Sequence, residues 1–71
     1  MLSPKMQRLL FLLDEKKSLK FDEQKIISSR WFYNLIVFKL EKAEIVRNGN
    51  FEITLRHEGK KFIDRLRLLD D

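Results

Sequence analysis

The sequence predicts an α+β fold: a core of three helices, then a β-hairpin, then a C-terminal helix. Two observations predict it. Asn48-Gly49 stands between an apolar-rich run ending at Val46 and another beginning at Phe51. Asn-Gly in that setting is the strongest short hairpin signal, because both central residues of its tight turn take positive φ. Apolar residues also recur at helical spacing before this ribbon and again after Glu58, so the ribbon lies between helices.

Ser3-Pro4 marks the first helix start, serine as N-cap and proline in the first turn. Met6, Leu9, Leu10 and Leu13 form its inward stripe, with Phe11 and Leu12 off it, and the helix is expected to end near Glu15 or Lys17. Leu19-Lys20-Phe21 alternates apolar and polar and predicts a very short strand. Asp22 is placed to cap a second helix reaching Ile27, with Ile26 and Ile27 inward, and Ser29 to cap a third from Arg30 to about Ala43. Serine is tolerated inside helices, so one long helix over residues 23–43 is the alternative. A two-residue turn at Asn48-Gly49 pairs Arg47 with Asn50 and Val46 with Phe51. It puts Phe51, Ile53 and Leu55 on one face and Glu52, Thr54 and Arg56 on the other. The last helix, from His57 or Glu58 to about Leu69, carries Phe62, Leu66 and Leu69 on one stripe with Ile63 beside it. Asp70 and Asp71 sit unfavourably at its negative dipole end.

A chain of 71 residues is expected to form one domain, 1–71, burying only about 60% of its unfolded surface. It has no cysteine, hence no disulfide framework and no thiolate metal site. No apolar run approaches the ~20 residues that span a bilayer, and Met1-Leu2-Ser3-Pro4 lacks the apolar core of a secretory signal. The expectation is a soluble, cytoplasmic protein with no membrane contact. The net charge of +4 permits polyanion binding. Residues 1–21 carry five Lys or Arg against two acids, residues 22–46 balance, and residues 47–71 hold one extra cation. With no basic tail, any cationic footprint has to be assembled by folding.

Signals for chemistry are weak. His57 is the only imidazole, and no ligands cluster near it in sequence. Nothing in the spacing brings Ser28 or Ser29 within hydrogen-bond reach of His57 and an aspartate. Gly49 and Gly59 are the only glycines, too few for a phosphate-cradling loop. A non-enzyme without cofactor or metal is expected.

Two longer motifs carry a resemblance. Leu40-Glu41-Lys42-Ala43-Glu44-Ile45-Val46 is similar to the Leu-Glu-x-x-Gly-Leu-Val/Ile with which the recognition helix of winged helix-turn-helix proteins ends and the wing begins. Phe51-Glu52-Ile53-Thr54-Leu55-Arg56-His57-Glu58-Gly59-Lys60-Lys61-Phe62-Ile63 resembles that family's Tyr-x-Leu-Thr-x-x-Gly-x-x-Phe-Leu, the second wing strand entering the last helix. The chain resembles this DNA-binding family, in particular its small archaeal regulators and chromatin proteins, from roughly Tyr33 to Leu69. The first thirty residues agree in element order only. Glu44 replaces the family's Gly at the helix end. Arg56 replaces the usual Thr before the last helix, unless Thr54 takes that place with an added residue or two. The last helix, ending at Asp71, is short for a dimerising coiled coil.

The resemblance implies binding of double-stranded DNA through the third helix and the wing, by a homodimeric transcriptional regulator or chromatin-associated factor. Base edges are read mainly by Arg, Lys, Asn and Gln, which singles out Arg30 and Asn34. Lys20, Lys25, Arg47, Asn48, Asn50 and Arg56 are the candidates for phosphates or the minor groove, with Lys16 and Lys17 nearby. Lys60, Lys61 and Arg65, with Arg67 and Asp64, are read as a solvated helix face. The third helix is unusual. Tyr33, Ile36, Val37 and Leu40 make its core stripe, but Trp31, Leu35 and Phe38 form a second apolar arc nearly opposite, with Phe32 between. That arc is open to three readings: covered by the first and last helices, a self-association surface, or a groove for another protein. Trp31, Leu35 and Phe38, with Phe62, Leu66 and Leu69, are therefore the candidate interface residues. The alternative function is a winged-helix protein–protein interaction module.

Overall fold

The computed structural model describes residues 2–70, with side chains through Leu69. Its elements are α1 (Pro4–Lys16), β1 (Ser18–Lys20), α2 (Arg30–Lys42), β2 (Val46–Gly49), β3 (Glu52–Leu55) and α3 (His57–Asp70). The three strands form one antiparallel sheet in the order β1-β3-β2. The fold is thus α+β, with one helix fewer than the sequence pattern suggests.

The Ser3 hydroxyl accepts the Met6 N–H at 3.2 Å, and Pro4 opens α1. Leu9, Leu10 and Leu13 are fully buried along the expected stripe. The helix stops at Lys17, whose backbone turns to φ 72°. Its carbonyl accepts the Leu55 N–H at 2.9 Å, so the helix end is tied directly to the sheet. In β1, Leu19 lies opposite Ile53 of β3.

The helix expected from Asp22 to Ile27 does not form, and neither does the continuous helix over 23–43. Phe21–Glu23 is a single 3-10 turn, and the chain then runs irregularly to Ser29. The cause is Gln24. Its buried amide donates to the Phe21 and Ile27 carbonyls at 3.0 and 2.8 Å and accepts the Ile26 and Ile27 N–H groups at 3.1 and 2.8 Å. All four bonding sites of the side chain are used. A helix of this length gains little from its few internal bonds, so one side chain suffices to replace them. Ile27 still points into the core.

Ser29 caps α2 as expected, its hydroxyl accepting the Phe32 N–H at 3.2 Å. At the other end Glu44 N–H donates to Glu41 O at 3.0 Å and Ile45 N–H to Leu40 O at 2.9 Å. This is the paired-bond helix stop that normally employs a left-handed glycine. Here Glu44 itself adopts φ 63°. The conformation is kept and a non-glycine bears its strain.

The hairpin forms, but not around Asn48-Gly49. Val46 pairs with Leu55, Arg47 with Thr54, Asn48 with Ile53 and Gly49 with Glu52. The turn residues are Asn50 and Phe51, at φ 54° and 62°. Phe51 is therefore a turn residue and not a partner of Val46, while Ile53 and Leu55 keep the inward face. The far end of the ribbon fixes this register. Ile45 O accepts the Arg56 N–H at 3.0 Å, and Gly59 on the first turn of α3 lies so close that a Cβ there would overlap the Ile45 carbonyl. Moving the turn back to Asn48-Gly49 would slip the strands by four residues and break that junction.

The core is one cluster built from α1, Leu19, Ile27, α2, Ile45, Val46, Ile53 and Ile63. On α3 the fully buried residue is Ile63, not the Phe62–Leu66–Leu69 stripe. Phe62 and Leu66 are half-buried and Leu69 is exposed. The end-of-helix charges expected at Asp70 and Asp71 fall outside the described side chains. Among the described residues, no helix is long and apolar enough to cross a membrane.

Candidate functional site

A cleft of about 530 Å³ lies between the N-terminal half of α2 and the tip of the β2–β3 ribbon. Helical spacing puts Arg30, Asn34 and Val37 along the α2 edge that faces the ribbon. Strand alternation puts Asn48 on the same side as Val46 and Ile53, and Asn50 follows in the turn. The cleft is lined by Arg30, Asn34, Asn48 and Asn50, together with Phe21, Tyr33 and Phe51. A smaller cleft of about 190 Å³ adjoins it, lined by Lys20 and Asp22 and sharing Phe21, Arg30 and Phe51. Four of the candidate DNA-contacting residues are thus brought together, and Lys20 extends the group.

The wall is preorganised. The Phe21 ring meets Tyr33 edge-on, centroids 4.9 Å apart at 71°, and the Arg30 guanidinium lies 4.8 Å from the Phe21 centroid. Tyr33 is held as a neutral phenol: burial pushes its pKa up, Glu23 adds to this and Arg30 opposes it. Among the described residues, the amides of Asn34, Asn48 and Asn50 engage no hydrogen-bond partner. Their donors and acceptors face the cleft unclaimed by the turn.

The remaining candidates lie elsewhere. Arg47 and Arg56 line a separate groove with Thr54 and His57. Arg47 alternates with Asn48 along β2, so this groove is on the opposite face of the ribbon. Lys25 is exposed on the loop before α2 and lines none of these clefts. Ser29 caps α2, and His57 starts α3 beside Arg56. Among the described residues no acidic or imidazole cluster of metal-binding size occurs.

Asp14 on α1 is buried, and its carboxylate takes Lys17 at 3.2 Å, Lys60 at 3.0 Å and Arg67 at 3.1 Å. Burial pushes its pKa up, but hydrogen bonds from Lys60, Arg67 and Lys17 outweigh burial and bring it to about 2. Lys60 also meets Asp64, and Lys61 meets Glu58. The cations of α3 are therefore not simply a solvated face: Lys60 and Arg67 neutralise a buried acid. Among the described residues, Lys20, Lys25, Arg30, Arg47 and Arg56 make no ion pair.

The second apolar arc of α2 is not covered by other helices. Trp31 is 74% and Phe38 55% exposed, with Phe32 and Leu35 also open. Lys42 lies 5.3 Å from the Phe38 centroid and shields part of it. Phe62 and Leu66 line a groove with Leu2 and Gln7, apart from this arc. The sequence reading missed Phe21, Tyr33 and Phe51 as cleft residues. Phe21 and Phe51 look like strand residues until the register is known, and Tyr33 belongs to the core stripe it was assigned to. Compared with known proteins, the chain matches no family model, no curated protein and no solved structure.

Proposed function

We propose that this chain is a winged helix-turn-helix protein that binds double-stranded DNA, acting by occupancy as a small transcriptional regulator or chromatin-associated factor. The order helix, strand, helix, ribbon, helix supports the layout, with the Gln24 loop in place of the helix that would precede the recognition helix α2. The observation that carries the reading is the convergence of Arg30 and Asn34 with Asn48 and Asn50 on one cleft. Arg and Asn are the residue types that read base edges, and ribbon-tip amides suit the backbone or minor groove. Arg30 and Asn34 are assigned to bases; Lys20, Asn48 and Asn50 to the adjoining strand; Arg47 and Arg56 to phosphates reached by the other face of the ribbon. A footprint this small gives modest affinity unless two copies bind half-sites one helical turn apart.

Polarisation titration of a labelled duplex at several salt concentrations tests the reading. Each neutralised phosphate contributes about 0.9 to the slope, so log K is expected to fall against log salt with a slope of about three to five. Arg30→Ala with Asn34→Ala should weaken binding without changing the fold. Absence of binding at low salt contradicts the reading.

The exposed Trp31–Leu35–Phe38 arc favours a second reading, an interaction surface for another protein or for a second copy. Leu35→Asp with Phe38→Asp discriminates. Unchanged oligomeric state and DNA affinity in a folded variant would remove this arc as an interface.

A further inference from the structure

Phe51 has no part in the function proposed above, and its position asks for one. It occupies the second central position of the hairpin turn at φ 62°. A bulky residue takes that left-handed conformation only under strain, and Asn, Asp or Gly would form the turn better. The residue is 85% exposed, so packing does not account for it either. The ring lines both the larger and the smaller cleft, where Phe21 and Arg30 are the other shared residues. Phe51 thus stands where the two clefts meet.

The groups around it form a consistent set. Phe51 and Phe21 offer aromatic surface. Asn34, Asn48 and Asn50 offer paired donors and acceptors. Arg30 and Lys20 offer charge, and Asp22 is the one acid lining either cleft. Sites for unpaired nucleotides use these three components: a π-face for the base, amides for its edge and cations for flanking phosphates. A regular duplex presents only base edges and backbone, so it leaves the exposed Phe51 ring at the cleft rim without a stacking partner. The volume of about 530 Å³ lies within the ~300–1,000 Å³ of small-ligand sites.

We propose that the cleft receives one unpaired nucleobase of a DNA strand, stacked on Phe51 with its edge toward the asparagine amides. The inference rests on the DNA-binding reading and deepens it: the preferred ligand is a duplex interrupted by an unpaired base, not a perfect duplex.

The test compares a short perfect duplex with the same duplex carrying a single bulged 2-aminopurine. The wild-type chain is expected to bind the bulged duplex roughly tenfold more tightly, the order expected for one stacked base, and to quench the 2-aminopurine emission. Phe51→Asn suits the positive φ and retains the turn; it should bind both duplexes with the affinity of the perfect one. Quenching by the wild-type chain reports stacking independently of how the variant folds. Equal affinity for the two duplexes with no quenching overturns the proposal and leaves duplex binding standing. A bulge preference that survives Phe51→Asn also overturns it. If neither duplex binds at low salt, the DNA-binding reading falls and this proposal falls with it.

Discussion

Asp14 and Glu44 show how single residues set the energetics. Asp14 joins α1 to Lys60 and Arg67, 46 and 53 positions further along the chain. No local pattern signals such a contact, so in the sequence Asp14 reads as an ordinary helix-end acid. Its carboxyl has a lower pKa folded than unfolded, about 2 against 3.8. Between those values the unfolded chain binds more protons, so stability falls as pH drops through that window and is complete above it. The contribution is at most about 2–3 kcal/mol. Urea midpoints are expected to show wild type more stable than Asp14→Asn at pH 6, with the difference shrinking as the pH approaches 2. Glu44 is the reverse case. The resemblance identifies its position as one that prefers glycine, and the left-handed backbone gives the reason. Glu44→Gly relieves the strain while adding unfolded-state entropy, and is expected to stabilise the fold by about 0.5–1 kcal/mol, measured by the same urea midpoints.

At the scale of elements, caps and periodicity were legible and register was not. Ser3-Pro4 and Ser29 announced α1 and α2 because capping is decided within four residues. The last helix was readable from apolar periodicity alone, with no side-chain cap to announce it. The segment after Asp22 carried the same local signs, yet Gln24 drew its backbone groups into a loop. Glutamine is ordinary inside helices, so nothing nearby revealed its burial. Gln24→Leu would leave the Ile26 and Ile27 N–H groups without their acceptor, at about 1–3 kcal/mol for each buried group left unpaired. A total loss of roughly 2–6 kcal/mol is expected in chemical denaturation, with little change in helix content by circular dichroism. The hairpin likewise depended on contacts outside the turn. Asn48-Gly49 is the stronger local signal, but the junction of Ile45 with Arg56 and Gly59 sets the turn two residues further along. That shift made Phe51 a turn residue and opened the cleft beside it.

Across the whole molecule, the two features that stand out are the cleft beside the ribbon and the exposed apolar arc of α2. Carboxylates neutralise the cations that join α1 and α3. Those near the ribbon remain unpaired among the described residues. The cleft was half legible from sequence. Arg30, Asn34, Asn48 and Asn50 were named from the resemblance and their residue types, whereas their convergence on one cleft and its aromatic wall depended on the loop and the register. The exposed arc of Trp31 and Phe38 was visible as a pattern, but only the three-dimensional packing decided that no helix covers it. The two surfaces share α2, so a spectrum that resolves both can separate them. The most direct measurement is a ¹⁵N-correlation titration of the chain with a short DNA duplex at low salt, following the side-chain amides of Asn34, Asn48 and Asn50 and the indole N–H of Trp31. The predicted result is large, saturating shifts at the three asparagines and at Arg30, with Trp31 little affected. Shifts confined to Trp31 and its neighbours, or none at all, would contradict the assignment of the α2–ribbon cleft as the binding site.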